Sequence, residues 1–154
     1  MERIKAIEEL METITDEIVV SSCGLISREI FATKDRDLNF YNQGAMGSTL
    51  GIGIGLAISK PEKKVVVIAG DGEILMSLRT LVLMKKLDLP NLSLFILDNK
   101  AYESTGGQPT CSDSIDFRLL CYCKVIFVSK SKKQVPRISI KHKDIKERFM
   151  NAIK

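Results

Sequence analysis

Val65-Val66-Val67-Ile68-Ala69 runs into Gly70-Asp71-Gly72, and Leu92-Ser93-Leu94-Phe95-Ile96-Leu97 runs into Asp98-Asn99. Each is a short apolar run closed by small polar residues, the pattern of a buried strand that stops at a functional edge. Between them, Ile74 to Lys86 has helical periodicity, so the segment reads as a strand-helix-strand crossover. A right-handed crossover places both strand ends on one edge of a parallel sheet. A carboxylate and an amide oxygen are hard donors suited to Mg²⁺, and glycines flanking Asp71 let the backbone approach a bulky anion. The pair reads as a metal-diphosphate site. The bland alternative is a turn at Asp71-Gly72 and a helix cap at Asn99.

Working outward, Ile4, Ile7, Leu10, Met11 and Ile14 repeat at helical spacing before a strand at Ile18-Val19-Val20. Ser21-Ser22-Cys23-Gly24 then makes a strand-to-helix turn, a natural anion site, although paired serines also serve as local backbone caps. A helix from Leu25 to Phe31, a strand at Leu38-Asn39-Phe40-Tyr41 and a helix carrying Gly47, Gly51 and Gly55 follow. That glycine spacing predicts one helix face in close contact, either with the sheet or with another subunit. Gly51-Ile52-Gly53-Ile54-Gly55 is not a dinucleotide fingerprint, because Leu56 stands where the third glycine is needed. Beyond Asn99 the expectations are a polar loop to Thr110, a helix over Ile115 to Cys123, strands at Val125-Ile126-Phe127-Val128 and Ile138-Ser139-Ile140, and a terminal helix from about Asp144 to Ile153. Alternating strands and helices predict an α/β fold, a parallel sheet with helices on both faces, in a single domain over residues 1–154.

Composition fits this reading. The chain has 154 residues, 45% of them hydrophobic, enough for a sizeable core. The net charge of +4 is modest and its excess lies between Lys124 and Lys146, away from any aromatic or glycine-rich nucleic-acid motif. Four cysteines without a Cys-x-x-Cys pair, and no charged-then-apolar leader, point to a reducing cytoplasm. Cys121 and Cys123 are expected to diverge into buried packing. The low-charge stretch from Gly44 to Ser59 is too short and glycine-rich to span a membrane. Glu8, Glu9, Glu12 and Glu29 read as solvated helix faces, and His142 as a surface residue. Arg79, Lys100 and Arg118 are candidates to meet an anionic substrate group, or are simply surface charges.

Gly70-Asp71-Gly72 followed by Asn99 is similar to the diphosphate-binding signature of thiamine diphosphate (ThDP) enzymes, and Gly44-Ala45-Met46-Gly47 resembles their pyrimidine-contacting turn. Tyr102-Glu103-Ser104-Thr105-Gly106-Gly107-Gln108-Pro109-Thr110 and the tail Ile145-Lys146-Glu147-Arg148-Phe149-Met150 narrow the resemblance to the beta-subunit family of archaeal sulfopyruvate decarboxylases and their phosphonopyruvate decarboxylase relatives. The resemblance implies a ThDP-binding fold of the diphosphate type. It implies Mg²⁺ on Asp71, the Asn99 side-chain oxygen and the Ala101 carbonyl. Diphosphate contacts follow from the N–H groups of Gly72, Glu73 and Ser104, with Ser21 and Ser22. The Gly44 carbonyl and the Met46 N–H would meet the pyrimidine, with the Met46 side chain beneath the bent cofactor.

Glu73 departs from the hydroxyl residue expected there, so its side chain must point away from a diphosphate. No glutamate is placed to activate the pyrimidine, so no catalytic residue is expected in this chain and a partner alpha subunit carrying the pyrimidine-binding domain should supply it. The implied reaction is decarboxylation of a small anionic 2-oxo acid, sulfopyruvate to sulfoacetaldehyde and CO₂ in coenzyme M biosynthesis. Phosphonopyruvate or another 2-oxo acid, or a non-catalytic assembly or regulatory subunit that retains the cofactor fold, are the alternatives. Two departures stand out. Glu103 replaces a glycine, and from about residue 124 the C-terminal part is shortened, with room for one strand between Cys123 and Pro136.

Overall fold

The computed structural model describes residues 1–132 and 134–154, so Lys133 of the basic stretch lies outside the described residues. The chain runs α1 (Arg3–Glu12), β1 (Ile18–Ser21), α2 (Leu25–Thr33), β2 (Asn39–Tyr41), α3 (Thr49–Ser59), β3 (Val65–Gly70), α4 (Asp71–Leu75), α5 (Leu78–Leu87), β4 (Leu92–Asp98), β5 (Ala101–Tyr102), β6 (Gln108–Pro109), β7 (Lys124–Phe127) and α6 (His142–Ala152). Five strands form one parallel sheet in the order β2-β1-β3-β4-β7, and β5 and β6 make a small antiparallel hairpin. This is the expected α/β architecture.

The strand residues alternate between two cores. Ile18, Val20, Val65, Val67, Leu92, Leu94 and Ile96 pack with α3, α5 and the end of α6 on one face. Val19, Val66, Ile68 and Leu97 pack with α1 and α2 on the other. Burial on both faces is why these strands are continuous apolar runs rather than alternating ones. Paired in register, Gly70 of β3 lies beside Leu97 of β4 and Ser21 of β1 beside Ile68 of β3. The polar residues after β1, β3 and β4 therefore emerge at one edge.

Several local expectations change. The helix read across Ile74 to Lys86 is two helices, α4 and α5, broken at Met76–Ser77. The helix over Ile115–Cys123 is absent: this stretch holds a single 3₁₀ turn, Phe117–Leu119, capped by Asp116. Phe117, Cys121 and Cys123 enter the core while Leu119 stays exposed. Ile138-Ser139-Ile140 is irregular rather than a strand. Cys121 and Cys123 do not diverge: both are buried in one core and their thiols meet, which draws Cys121 below and, with burial, pushes Cys123 above the usual thiol range.

The contact of the glycine face with the sheet also resolves differently. Gly47 precedes α3 and has φ +94°, whereas Gly51 and Gly55 face open space. The close approach belongs to Gly53, where an added Cβ would come within 2.2 Å of Val67 Cγ2 on the central strand. Gly53→Ala should therefore destabilise by about 1–3 kcal/mol through overpacking. Gly51→Ala should stabilise by up to about 1 kcal/mol through helix propensity. Chemical denaturation of the two variants, read as opposite shifts of the midpoint, checks the assignment.

Candidate functional site

Asp71 is the first residue of α4 and Asn99 follows the last residue of β4, so the crossover alone sets them side by side. One cavity at this edge is lined by Ser22, Met46, Asp71, Gly72, Glu73, Asn99, Ala101 and Ser104, with Arg3, Tyr102 and Glu103 completing the wall. Two of the candidate cofactor contacts, Ser21 and Gly44, lie outside it, as do the candidate substrate cations Arg79, Lys100 and Arg118. Ser21 is buried at the end of β1 and its hydroxyl pairs with Ser27 Oγ at 2.8 Å, so its side chain is committed to the core. Gly44, with φ +72°, lines a neighbouring groove that shares Cys23 with this cavity.

The carboxylate of Asp71 is 2% exposed and accepts a hydrogen bond from the Thr110 hydroxyl. Burial, reinforced by the neighbouring Asp98, raises its pKa above the usual carboxylate value. A buried carboxylate held beside a second one is costly without a cation. Asp98 itself accepts from the Ser112 hydroxyl and the Lys100 N–H, both at 2.9 Å. Asn99 Oδ1 accepts from the Ala101 N–H at 3.2 Å, which leaves that oxygen a further lone pair. Among the described residues no three His, Cys, Asp or Glu side chains form a metal cluster. A hard cation here would keep ligand oxygens or water in its shell, as Mg²⁺ does.

The glycine after Asp71 has a specific cause. A Cβ on Gly72 would lie 2.4 Å from Cε1 of Tyr102, so only glycine lets this ring close over the α4 turn. Glu73 is buried beside that turn, and its Oε1 accepts from the Thr49 N–H at 3.0 Å. The carboxylate therefore sits at the positive end of α3 instead of facing the anion-binding N–H groups. Burial and Glu73 together push the Cys23 thiol up, keeping it neutral where the cavity and the groove meet.

A buried ion network supports the wall. Arg3 is 4% exposed and grips Glu29 with two hydrogen bonds of 2.8 Å, while its other arm reaches Glu103. Glu103 in turn accepts from Asn99 Nδ2 at 3.0 Å, so it fixes which end of the amide faces Asp71's side of the cavity. Glu29 is thus not on a solvated face: it is 1% exposed, because α1 lays Arg3 over it. Neither Arg3 nor Thr110 carries a sequence signal of this role, since both partners are distant in the chain. Arg118 pairs with Asp116 at the surface, and His142 is exposed.

Residues 22–118 match the family "Thiamine pyrophosphate enzyme, C-terminal TPP binding domain". The chain belongs to the thiamine pyrophosphate enzyme family. It is 38% identical to "Sulfopyruvate decarboxylase subunit beta" of Methanococcus maripaludis, over 99% of this chain and 97% of that one. It is 44% identical to "Phosphonopyruvate decarboxylase" of Streptomyces viridochromogenes over 74% of this chain, which is 29% of that longer protein. A solved thiamin diphosphate-dependent enzyme from Mycobacterium smegmatis has the same fold, with a TM-score of 0.60 at 15% identity over 86% of this chain and 32% of that one. Among the described residues no helix is long and apolar enough to cross a membrane.

Removing Arg3 isolates two carboxylates, one of them fully buried. Arg3→Ala should cost about 3–5 kcal/mol in urea denaturation, and adding Glu29→Leu to it should recover part of the loss.

Proposed function

We propose that this chain is the ThDP-binding half of a decarboxylase that converts sulfopyruvate to sulfoacetaldehyde and CO₂, a step of coenzyme M biosynthesis in the cytoplasm. The reading rests on one observation above all: Asp71, Asn99 and Ala101 meet in a cavity whose wall also carries Gly72, Glu73, Ser104, Ser22 and Met46. The donor set fits Mg²⁺ and a diphosphate, since a buried carboxylate short of positive charge faces an amide oxygen and a backbone carbonyl. When bound, ThDP supplies the electron sink that decarboxylation needs.

The chain's own part is to bind and orient. Thr110 fixes the Asp71 carboxylate and Glu103 fixes the Asn99 amide, so both oxygens are set before Mg²⁺ arrives. The first-turn N–H groups of Gly72 and Glu73 have no helical acceptor and serve the diphosphate, with Ser104 and the Ser22 turn closing around it. Met46, 40% exposed, supports the cofactor from below, with Gly44 at the pyrimidine end. Of the two glutamates in the wall, Glu103 is held by Arg3 and Asn99, and Glu73 accepts from Thr49 through Oε1 while its Oε2 is buried without a partner. Both glutamates line the cavity with Gly72 and Ser104 and not the groove that holds Gly44 at the pyrimidine end, which supports a partner alpha subunit that contributes the activating glutamate in a heteromer. That the longer phosphonopyruvate decarboxylase matches in only 29% of its length agrees with a function divided between two chains. In the same reading the chain is one domain, shortened from about residue 124, where the described residues between β7 and α6 hold no further helix or named strand.

Asp71→Asn separates function from stability. It should abolish Mg²⁺-dependent ThDP binding in calorimetry, and retained tight binding would refute the metal assignment. In the metal-free chain the same change should raise the melting temperature at neutral pH. A carboxyl whose folded pKa is raised stabilises the fold below its unfolded value, near 3.9, and that contribution is lost as pH rises through the folded value. The variant should therefore lack this alkaline loss in a pH series of melting curves.

A further inference from the structure

The groove beside the cofactor cavity carries a charge pattern that the binding of ThDP and Mg²⁺ does not use. Its walls are the start of α2, the turn at Asn42–Gly44 and the segment from Arg137 to His142. Arg28, Arg137 and Lys141 line it together with His142, and no Asp or Glu does. Among the described residues none of these three cations is in an ion pair, whereas Arg3, Arg118 and Arg148 each hold a carboxylate. Like charges gathered without a counter-charge repel, and a cleft lined by one sign concentrates ligands of the other. The N-terminus of α6 opens on the same groove at Lys141–His142, with no side-chain cap on its free N–H groups, and Asp144 in its first turn offsets its positive field without lining the groove.

The groove's position says what the anion is attached to. Cys23 lines both the groove and the cofactor cavity, and Gly44 lies in the groove wall. Gly72 and Ser104 do not line the groove, whereas Gly44, assigned to the pyrimidine, does, so the groove adjoins the pyrimidine end of the bound cofactor.

We propose that Arg28, Arg137 and Lys141 receive the second anionic group of the substrate, a sulfonate or phosphonate on a short 2-oxo acid. This rests on the ThDP reading for its orientation: the tetrahedral oxyanion sits in the groove while the keto carbon lies across Cys23, towards the cofactor. Guanidinium groups suit such a ligand because their N–H forks match its oxygens. The basic excess between Lys124 and Lys146 then has a task, which Arg137 and Lys141 perform.

The test is calorimetric titration of the chain, purified with its partner in ThDP and Mg²⁺, with 3-sulfopropionate and 3-phosphonopropionate, which lack the reacting keto group. Propionate serves as control. Either dianion should bind while propionate does not, and their ratio reads which head group is preferred. Arg137→Ala and Lys141→Ala should each weaken binding about tenfold or more, with ThDP occupancy unchanged and Arg137→Lys recovering part of the loss. Failure of both dianions to bind, or equal binding by the variants, overturns the groove assignment. So does loss of the partner subunit in the variants, which would mark the groove as a protein contact. ThDP occupancy in the wild-type sample separately judges the cofactor reading, and the dianion titration decides the groove in either case.

Discussion

In-register parallel pairing of β1, β3 and β4 is the constraint on which the rest depends. Because the three strands are hydrogen-bonded with Ser21 opposite Ile68 and Gly70 opposite Leu97, their C-terminal ends finish at nearly one level. Three turns with exposed N–H groups and polar side chains then converge on a single edge, as open α/β sheets do wherever they bind ligands. A slip of one residue in β3 would turn Val66 and Ile68 into the wrong core and carry Asp71 away from Asn99. Two separate apolar layers, one against α3 and α5 and one against α1 and α2, hold that register.

On this edge the polar groups are arranged at a cost to the fold. Asp71 beside Asp98, both buried, is a charge arrangement that a chain selected for stability alone would not keep. The Arg3, Glu29 and Glu103 network adds three more buried or half-buried charges, one cation shared by two carboxylates, and is tied to Asn99. Glu103, which stands where a glycine is expected, is accommodated because Arg3 reaches it from α1. In effect one helix from the start of the chain stiffens a ligand loop about a hundred residues later.

Much of this was legible along the chain. The apolar runs ending in Gly70-Asp71-Gly72 and Asp98-Asn99 carried strand, crossover and candidate ligands together, since each depends on residues close in sequence. Where pattern misled, distant packing had decided. Gly53 rather than Gly51 and Gly55 meets the sheet, because the side of α3 that faces Val67 is fixed by docking and not by glycine spacing. Residues 115–123 hold only the 3₁₀ turn Phe117–Leu119, since Phe117 and the two cysteines must reach a core already shaped by β4 and α5. Ser21 and Ser22, equivalent by composition, separate into core and cavity because successive residues at the end of a strand point to opposite sides.

By itself, then, the sequence determined the parallel α/β order and the candidate oxygen donors at Asp71 and Asn99. Those follow from local propensity, periodicity and residue chemistry. Only the tertiary structure decided that Arg3 clamps Glu29 and Glu103, that Thr110 holds Asp71, and that Arg28 shares a groove with Arg137 and Lys141. The reason is physical: charge pairing and hydrogen bonding act across a few ångströms of space, and these partners are brought within that range only once the sheet has closed its register.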